Sequence, residues 1–534
     1  PLALKRGANH LLVKVENGIG GWGFALRMLG PESYAQLLVR KELAEQVGRC
    51  QAAKLILEPE YGFIMGDNTF PKVSWDREEA LEALYGELTT TTRWFDEDLN
   101  EVEAPTGPGR YGVYVETSTS KGPVLRRALT VFRAHDGLEY WRSPLPVQWD
   151  GLPTFDVARE TWATHREEIN RWASGALGNQ LAMEEGGAML LSALWERDRQ
   201  LQADPASAAP EWWRPDVLNM EYHLRLRARL LGTEPVKPLA EPRWIGKPAP
   251  VLLEGTEELA GFKPGAVQAI DVACRNWAEE AGVPFNLCVA RNRQVILNCG
   301  YGKVNGRPAT EKSRFGIASL SKFQTGILLT QFLDQGLLDI NDPIGRYLPD
   351  LPTKGDKVMT LRMCMSHTAG TEGHGNWGGF ANPWFDNVVA MGLEAYEPGT
   401  RYEYNGLSLN LAGRMMEVVS GRSFVRLMNE QLYGPLGCGK VEVIDSSFGT
   451  RIAAQDLAKV AQMLINGGAY GHRRFFAPGA IERLMPVRLG DEIPTLVSAQ
   501  ETRYGLGCTL EFGPFREDVP EDAPLEERSL LGPM

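Results

Sequence analysis

The sequence predicts a multidomain α+β protein, because strand-period and helix-period stretches alternate in separate blocks and a proline-rich segment divides the chain near its middle. A chain of 534 residues with 43% hydrophobic content can bury large cores, roughly three or four domains on length alone. The net charge of −12, without a Lys/Arg-rich block, disfavours nucleic acid and anionic membrane as main partners. No apolar run approaches the ~18 residues of a membrane span. A small-molecule or polymer substrate is the expectation.

In chain order, residues 1–30 read as two strands, HLLVKV and GWGFALRM, joined by the Gly-rich turn ENGIGG. In the pattern LKRGANHLLVKV…GGWGFALR they resemble the closing hairpin of jelly-roll modules appended to many secreted hydrolases. A two-stranded piece is not stable alone, so it docks on the segment after it or is the remnant of a larger module, and the remnant is favoured. Residues 31–232 form a mixed helix/β region matching no pattern we can name. Its strands RYGVYVETS and VLRRALTVFRA flank the turn SKGP. REEALEALYGEL before them is helical, as are FDVARETWATHREEINRWAS, AMLLSALWERDRQLQ and LNMEYHLRLRARLL after them. Trp94, Trp141, Trp162, Trp172, Trp195, Trp212 and Trp213 could form a sugar platform but are read mainly as packing residues. His135, His165 and His223 share no ligand spacing and are assigned no chemistry.

Pro235, Pro238, Pro242, Pro248 and Pro250 make residues 233–252 a stiff, extended connection and a domain boundary. In the final unit, 253–534, Pro264 opens a helix with an apolar stripe of Ile270, Cys274, Trp277 and Ala281. FNLCVARNRQVILNCGYG then reads as a hairpin about Arg291-Asn292-Arg293. The seven cysteines are scattered, odd in number and without C-x-x-C spacing, which suggests neither a disulfide framework nor zinc, and no metal or cofactor is expected. The chain opens without a methionine or an apolar leader, so any export signal would lie upstream.

The strongest chemical signal is Ser319-Leu320-Ser321-Lys322. A hydroxyl at the first turn of a helix and an amine three residues later share a face, so the amine can take the serine's proton. On the tetrapeptide alone, a helix N-cap serine with a solvated lysine is the favoured reading. A second copy, Ser118-Thr119-Ser120-Lys121, runs straight into Gly122-Pro123 and so has no helix to hold its lysine over its serine. Behind Ser319, by contrast, Phe323, Ile327, Leu328, Phe332 and Leu333 recur at helical spacing up to Gly336.

Five blocks in fixed order make residues 253–534 resemble the serine β-lactamase/DD-peptidase superfamily, in its class C-like branch of esterases, peptidases and amidases. They are CVARNRQVILNCGYG, RFGIASLSKFQTGILLTQFLDQGLLDINDPIGRYLPDLP, TLRMCMSHTAG, PGTRYEYNGLSLNLAGRMMEVVSGRSF and FGTRIAAQDLAKVAQMLINGGAYGHRRFF. The resemblance implies an antiparallel sheet flanked by helices, with Ser319 as nucleophile and Lys322 as its proton acceptor. An unperturbed lysine would be neutral in only about one molecule in a few thousand at pH 7, so burial or a partner must help it. The family's partner tyrosine falls on Tyr404 after Pro398-Gly399, with Tyr402 as the weaker substitute. The substrate-side positions fall on Asn405 and Gly406, and here the chain departs from the pattern. Tyr404-Asn405-Gly406 has glycine where Tyr-x-Asn is expected, and losing a hydrogen bond to a charged group costs roughly 1.5 to 3 kcal/mol. Esters become more plausible than amides or β-lactams, unless a turned loop lets Asn405 compensate.

The expected Lys-Thr-Gly or His-x-Gly is also missing after Tyr404, where Lys440, Lys459 and His472 have the wrong neighbours. YGLGCTLEFG at 504–513 resembles the run-up to that motif, so the chain is expected to be truncated before the motif's strand and to be inactive as it stands. His367 in MCMSHTAG is expected to fix a turn, His374 and Trp377 to lie in a Gly-rich lip, and Asp342-Pro343 and Asp456 to serve turns and helix starts. The expected function is a serine hydrolase or acyltransferase acting through an acyl-enzyme on esters or D-amino-acid peptides, possibly cell-wall-derived. The alternative is a non-catalytic ligand- or cell-wall-binding relative, and the resemblance implies an extracytoplasmic location for either.

Overall fold

A computed structural model of the chain describes residues 31–58, 63–65, 72–103, 105–106, 109–134, 215–233, 238–371, 382–394, 397–497 and 499–509. The hairpin at 1–30, the helical runs expected between 154 and 202, the segment around His374 and Trp377, and residues 510–534 lie outside the described residues. The described residues form a mixed α+β structure whose sheets include no closed barrel.

The strands expected at RYGVYVETS and VLRRALTVFRA form Gly109–Thr119 and Leu125–Ala134, the antiparallel centre of a five-stranded sheet. Leu88–Phe95 and Glu101–Val102 extend it on one side, and Phe63–Met65 joins the other side in parallel. Alternation sends Tyr111, Val113 and Val115 into a core with Trp94, Leu129 and Val131, so Trp94 is a packing residue. The copied tetrapeptide sits on this sheet, with Ser118 paired to Thr89 in the ladder and the Lys121 amide bonded to the Tyr85 carbonyl, so it has no helical register.

The expected helix at REEALEALYGEL spans Glu78–Tyr85 and stops at Gly86, whose φ of 80° suits glycine. The run LNMEYHLRLRARLL belongs to the helix Pro215–Leu231, which sets Tyr222 and Leu226 against Phe95, Tyr114 and Ala128. Gly112 makes that approach possible, because a Cβ there would lie 2.7 Å from the Tyr222 hydroxyl. A further helix, Pro31–Gln51, was not foreseen from sequence. Its buried residues are confined to Val47, Cys50 and Gln51 at its end, so it carries little periodic signal.

Within the stretch expected to be only an extended connection, Arg243–Ala249 forms a strand that pairs antiparallel with Ala469–Arg474. Pro248 is tolerated because a two-stranded sheet consists of edges, where a missing N–H costs no central ladder bond. Phe285–Arg291 and Gln294–Tyr301 form the expected hairpin. Its turn residues Asn292 and Arg293 have φ of 52° and 67°, the double left-handed geometry that matches strand twist. The helices Ala266–Ala281 and Ala454–Ile465 pack on this hairpin. Trp277 and Ala281 of the expected apolar stripe stay exposed, and Ala278 is the helix's buried residue. The largest core gathers the helices Leu320–Asp334 and Leu407–Ser420 around Ile327, Leu328, Phe332, Leu411 and Met415. All seven cysteines are free.

A buried ion pair ties the five-stranded unit to this helical core. Arg227, on Pro215–Leu231, donates from both terminal nitrogens to the two oxygens of Asp386 at 2.7 Å, and one nitrogen also reaches the Pro383 carbonyl at 3.0 Å. The side chains are 2% and 0% exposed, and the guanidinium lies 4.4 Å from the Trp384 ring centre. Such a pair contributes little over a well-packed apolar one, yet breaking it on one side strands a buried charge. Asp386→Ala is therefore expected to destabilise the chain by about 3–5 kcal/mol in denaturant unfolding. Replacing both partners by apolar residues of similar size should recover most of that loss, and a loss from Asp386→Ala within experimental error would contradict the coupling.

His223 on the same helix is buried, and its Nε2 lies 2.8 Å from the Thr130 hydroxyl, which itself donates to Asn219. That leaves Nε2 as donor and Nδ1 without a partner among the described residues, the arrangement of a neutral ring. Burial, then the nearby Arg110 and Arg414, push its pKa down to about 3 from 6.5. A depressed folded pKa gives stability that is full above pH 6.5 and drains as pH falls toward 3. By pH 5 the drain is about 2 kcal/mol. The fall in unfolding free energy between pH 7 and pH 5 should shrink by that amount in His223→Gln, and an unchanged fall would refute the buried neutral histidine.

Candidate active site

The helix Leu320–Asp334 is buried along most of its length, and it delivers Ser319 at its N-terminus. Ser319 is exposed and its hydroxyl makes no capping bond, so it does not act as the ordinary helix cap. The residue before it, Ala318, has φ 44°, an unfavourable value for a residue with a Cβ and a strain of the kind found where a side chain must be aimed. Lys322 lies below with 4% exposure, its Nζ 3.2 Å from Ser319 Oγ and 2.8 Å from the Ser447 carbonyl oxygen. An exposed hydroxyl over a buried amine replaces the capping serine and solvated lysine that the tetrapeptide alone would allow.

Close backbone contacts fix this helix. A Cβ on Gly326 would collide with the Leu506 carbonyl, and one on Gly507 with the Lys322 carbonyl, so segment 504–509 can lie against the helix only with glycine at both places. Tyr504, on that segment, hydrogen-bonds His367 Nε2 at 2.8 Å. His367 Nδ1 accepts the Asn405 amide at 3.2 Å, so the ring is neutral with its proton on Nε2. Burial first, and the Lys322 charge second, push its pKa down to about 3. The histidine thus links three segments, in keeping with its expected structural role.

Tyr404 stands beside the pair, with Lys322 Nζ 4.9 Å from its ring centre and the His367 ring 4.3 Å away. It is 45% exposed, and no hydrogen bond to its hydroxyl occurs among the described residues. Tyr402 packs with Met363, Leu489, Ile493, Leu496 and Tyr504, and its ring meets that of His367 edge-on at 6.0 Å. Burial and then Tyr404 push its phenol up to about 12. Of the two tyrosines, Tyr404 is the neighbour of Lys322.

Asn405 does not compensate for Gly406. Its side chain is buried, with Nδ2 donating to the Thr371 and Glu403 carbonyls at 2.8 Å each. Its Oδ1 accepts from Thr371 Oγ1 at 3.1 Å and Ser408 N at 3.3 Å. Both ends of the amide are hydrogen-bonded to the scaffold. Gly406 has φ −89° and ψ −19°, an ordinary helical backbone.

Sequence reasoning missed Ser447, because Lys322 uses its main-chain carbonyl and residue type carries no trace of such a contact. It also missed Tyr504, whose bond to His367 joins residues 137 apart. Lys459 is taken up by Asp456 Oδ1 at 2.8 Å and the Gly437 carbonyl, while His472 stacks on Trp244 at 4.5 Å, so neither serves the site. Asp456 lies in the first turn of Ala454–Ile465, as expected. No cluster of metal-ligating side chains occurs among the described residues.

Comparison with known proteins finds relatives over the part of the chain that holds these residues. The family model described as beta-lactamase matches residues 277–458, which contain Ser319, Lys322 and Tyr404. A putative D-alanyl-D-alanine carboxypeptidase of Escherichia coli K12 is 26% identical over 223 residues, covering 35% of this chain and 49% of the relative. The D-alanyl-D-alanine-carboxypeptidase/endopeptidase AmpH of the same strain is 30% identical over 160 residues, covering 27% and 41%. The putative penicillin-binding protein PbpX of Bacillus subtilis is 23% identical over 167 residues, covering 30% and 42%. The chain thus spans less than half the length of each of these relatives. A putative beta-lactamase structure from Bacteroides dorei aligns at 23% identity and TM-score 0.37, over 45% of this chain and 78% of that one. The family match over residues 277–458 and these relatives together support a likeness of this chain to the serine β-lactamase/DD-peptidase superfamily.

Proposed function

We propose that this chain is a serine acyl-transfer enzyme in which Ser319 is the nucleophile, Lys322 its proton acceptor and Tyr404 the group that helps activate water. The 3.2 Å contact between Ser319 Oγ and the buried Lys322 Nζ is the observation that carries the reading. Ser319 Oγ attacks the substrate's carbonyl carbon as its proton passes to Lys322. The bond to the leaving group breaks, the leaving group takes a proton, and the acyl group stays on Ser319. Water then attacks the ester carbon, giving up a proton on the Tyr404–Lys322 side; the bond to Ser319 Oγ breaks, that proton returns to Oγ, and the acid is released.

Esters are the preferred substrate class, since Asn405 is committed to the scaffold and Gly406 offers no side chain to hold an amide carbonyl. The named peptidase relatives make a D-amino-acid peptide the second class, with a cell-wall-derived ligand and an extracytoplasmic site of action following from the same likeness. No helix among the described residues is long and apolar enough to cross a membrane. The proposal departs in one respect from the inactivity expected from sequence, because Ser319 Oγ and the buried Lys322 Nζ lie within 3.2 Å of one another. Acylation followed by slow release is the expected behaviour of the chain.

p-Nitrophenyl acetate should therefore give a burst of p-nitrophenolate near one equivalent per chain and then a slow phase, absent in Ser319→Ala and Lys322→Ala. Neither a chromogenic cephalosporin nor a D-Ala-D-Ala peptide should react at a comparable rate. A burst that survives in Ser319→Ala would remove the nucleophile assignment, faster reaction with the cephalosporin would overturn the ester preference, and no burst in the unmodified chain would favour a binding protein.

A further inference from the structure

The segment Asp445–Thr450 is stitched to the helix that carries Ser319 along one face. Lys322 Nζ donates to the Ser447 carbonyl at 2.8 Å, Thr325 Oγ1 to the Ser446 carbonyl at 2.6 Å, and the Thr450 amide to Ser321 Oγ at 3.2 Å. A single side chain sets the turn within that segment. Asp445 Oδ1 accepts the amides of Ser447 at 2.8 Å and Phe448 at 2.6 Å, and the Ser447 hydroxyl at 3.2 Å. Three bonds to one oxygen fix the peptide plane whose carbonyl faces Lys322.

The same turn explains the glycine at 406. Its φ of −89° suits any residue, so the backbone does not require glycine. Space does, because a Cβ at 406 would lie 2.6 Å from Ser447 Oγ and 3.2 Å from Ser447 Cβ. The Ser447 hydroxyl is held in that place by Asp445, so it cannot swing aside without giving up a bond.

We propose that Asp445 and Ser447 are positioning residues that stand in for the side-chain amide absent at 406, with Ser447 supplying Lys322 a main-chain acceptor and its side chain filling the volume a larger residue 406 would need. Residues 406 and 447 are thus a size-matched pair, and Asp445 is the clamp that aims the carbonyl. The inference rests on the reading of Ser319 and Lys322 given above for its catalytic meaning.

Two measurements that require no turnover test it. In thermal unfolding, Gly406→Ala should lower the midpoint by several degrees, and adding Ser447→Gly should return most of that loss. Equal losses in the single and double variants would overturn the size pairing. Reductive methylation mapped by mass spectrometry reads the clamp. Lys322, shielded in the unmodified chain, should be modified about tenfold faster in Asp445→Ala, while Asp445→Asn, which keeps the accepting oxygen, should match the unmodified chain. Equal protection in all three proteins would overturn the clamp. Neither outcome depends on whether Ser319 is a nucleophile, so a failure of the ester burst and a failure of the clamp are separately visible.

Discussion

The site depends on keeping one amine-bearing side chain out of water and aimed. Lys322 is 4% exposed, and its nitrogen has a hydroxyl and a carbonyl oxygen within hydrogen-bond reach. A buried amine is costly unless its protons are placed, so the elements around it must hold their positions closely. The glycines at 326 and 507 let segment 504–509 lie on the helix, and His367 joins that segment to the Tyr404 loop. Each contact is modest alone. Together they hold the amine beneath Ser319 and leave the hydroxyl as the solvent-facing member of the pair.

Much of this was legible from residues. Helical spacing behind Ser319, against a turn behind Ser118, separated two identical patterns, and the structure places one on a helix and the other on a sheet. The hairpin at 285–301 was readable because its turn needs two left-handed residues flanked by alternating strands. The family resemblance favoured Tyr404 over Tyr402 by its distance from Pro398-Gly399, and Tyr404 is the ring beside Lys322.

The features that escaped the sequence have common physical causes. The Ser447 carbonyl is main chain, so any residue could supply it, and the His367–Tyr504 and Arg227–Asp386 contacts pair residues far apart in the chain. The hydrogen bonds at both ends of the Asn405 amide are a matter of loop direction that composition does not encode. The strand Arg243–Ala249 hid behind prolines that argue against a central strand but allow an edge. The helix Pro31–Gln51 hid because so little of it is buried.

The central claim is that helical placement over a buried amine, and not the tetrapeptide itself, makes a serine reactive. The chain carries its own control in Ser118. Treating the 534-residue chain with a fluorophosphonate and mapping the adduct by mass spectrometry tests the claim most directly. A covalent adduct is predicted on Ser319 and none on Ser118, with the Ser319 adduct lost in Lys322→Ala. An unlabelled Ser319, or labelling of both serines alike, would contradict it.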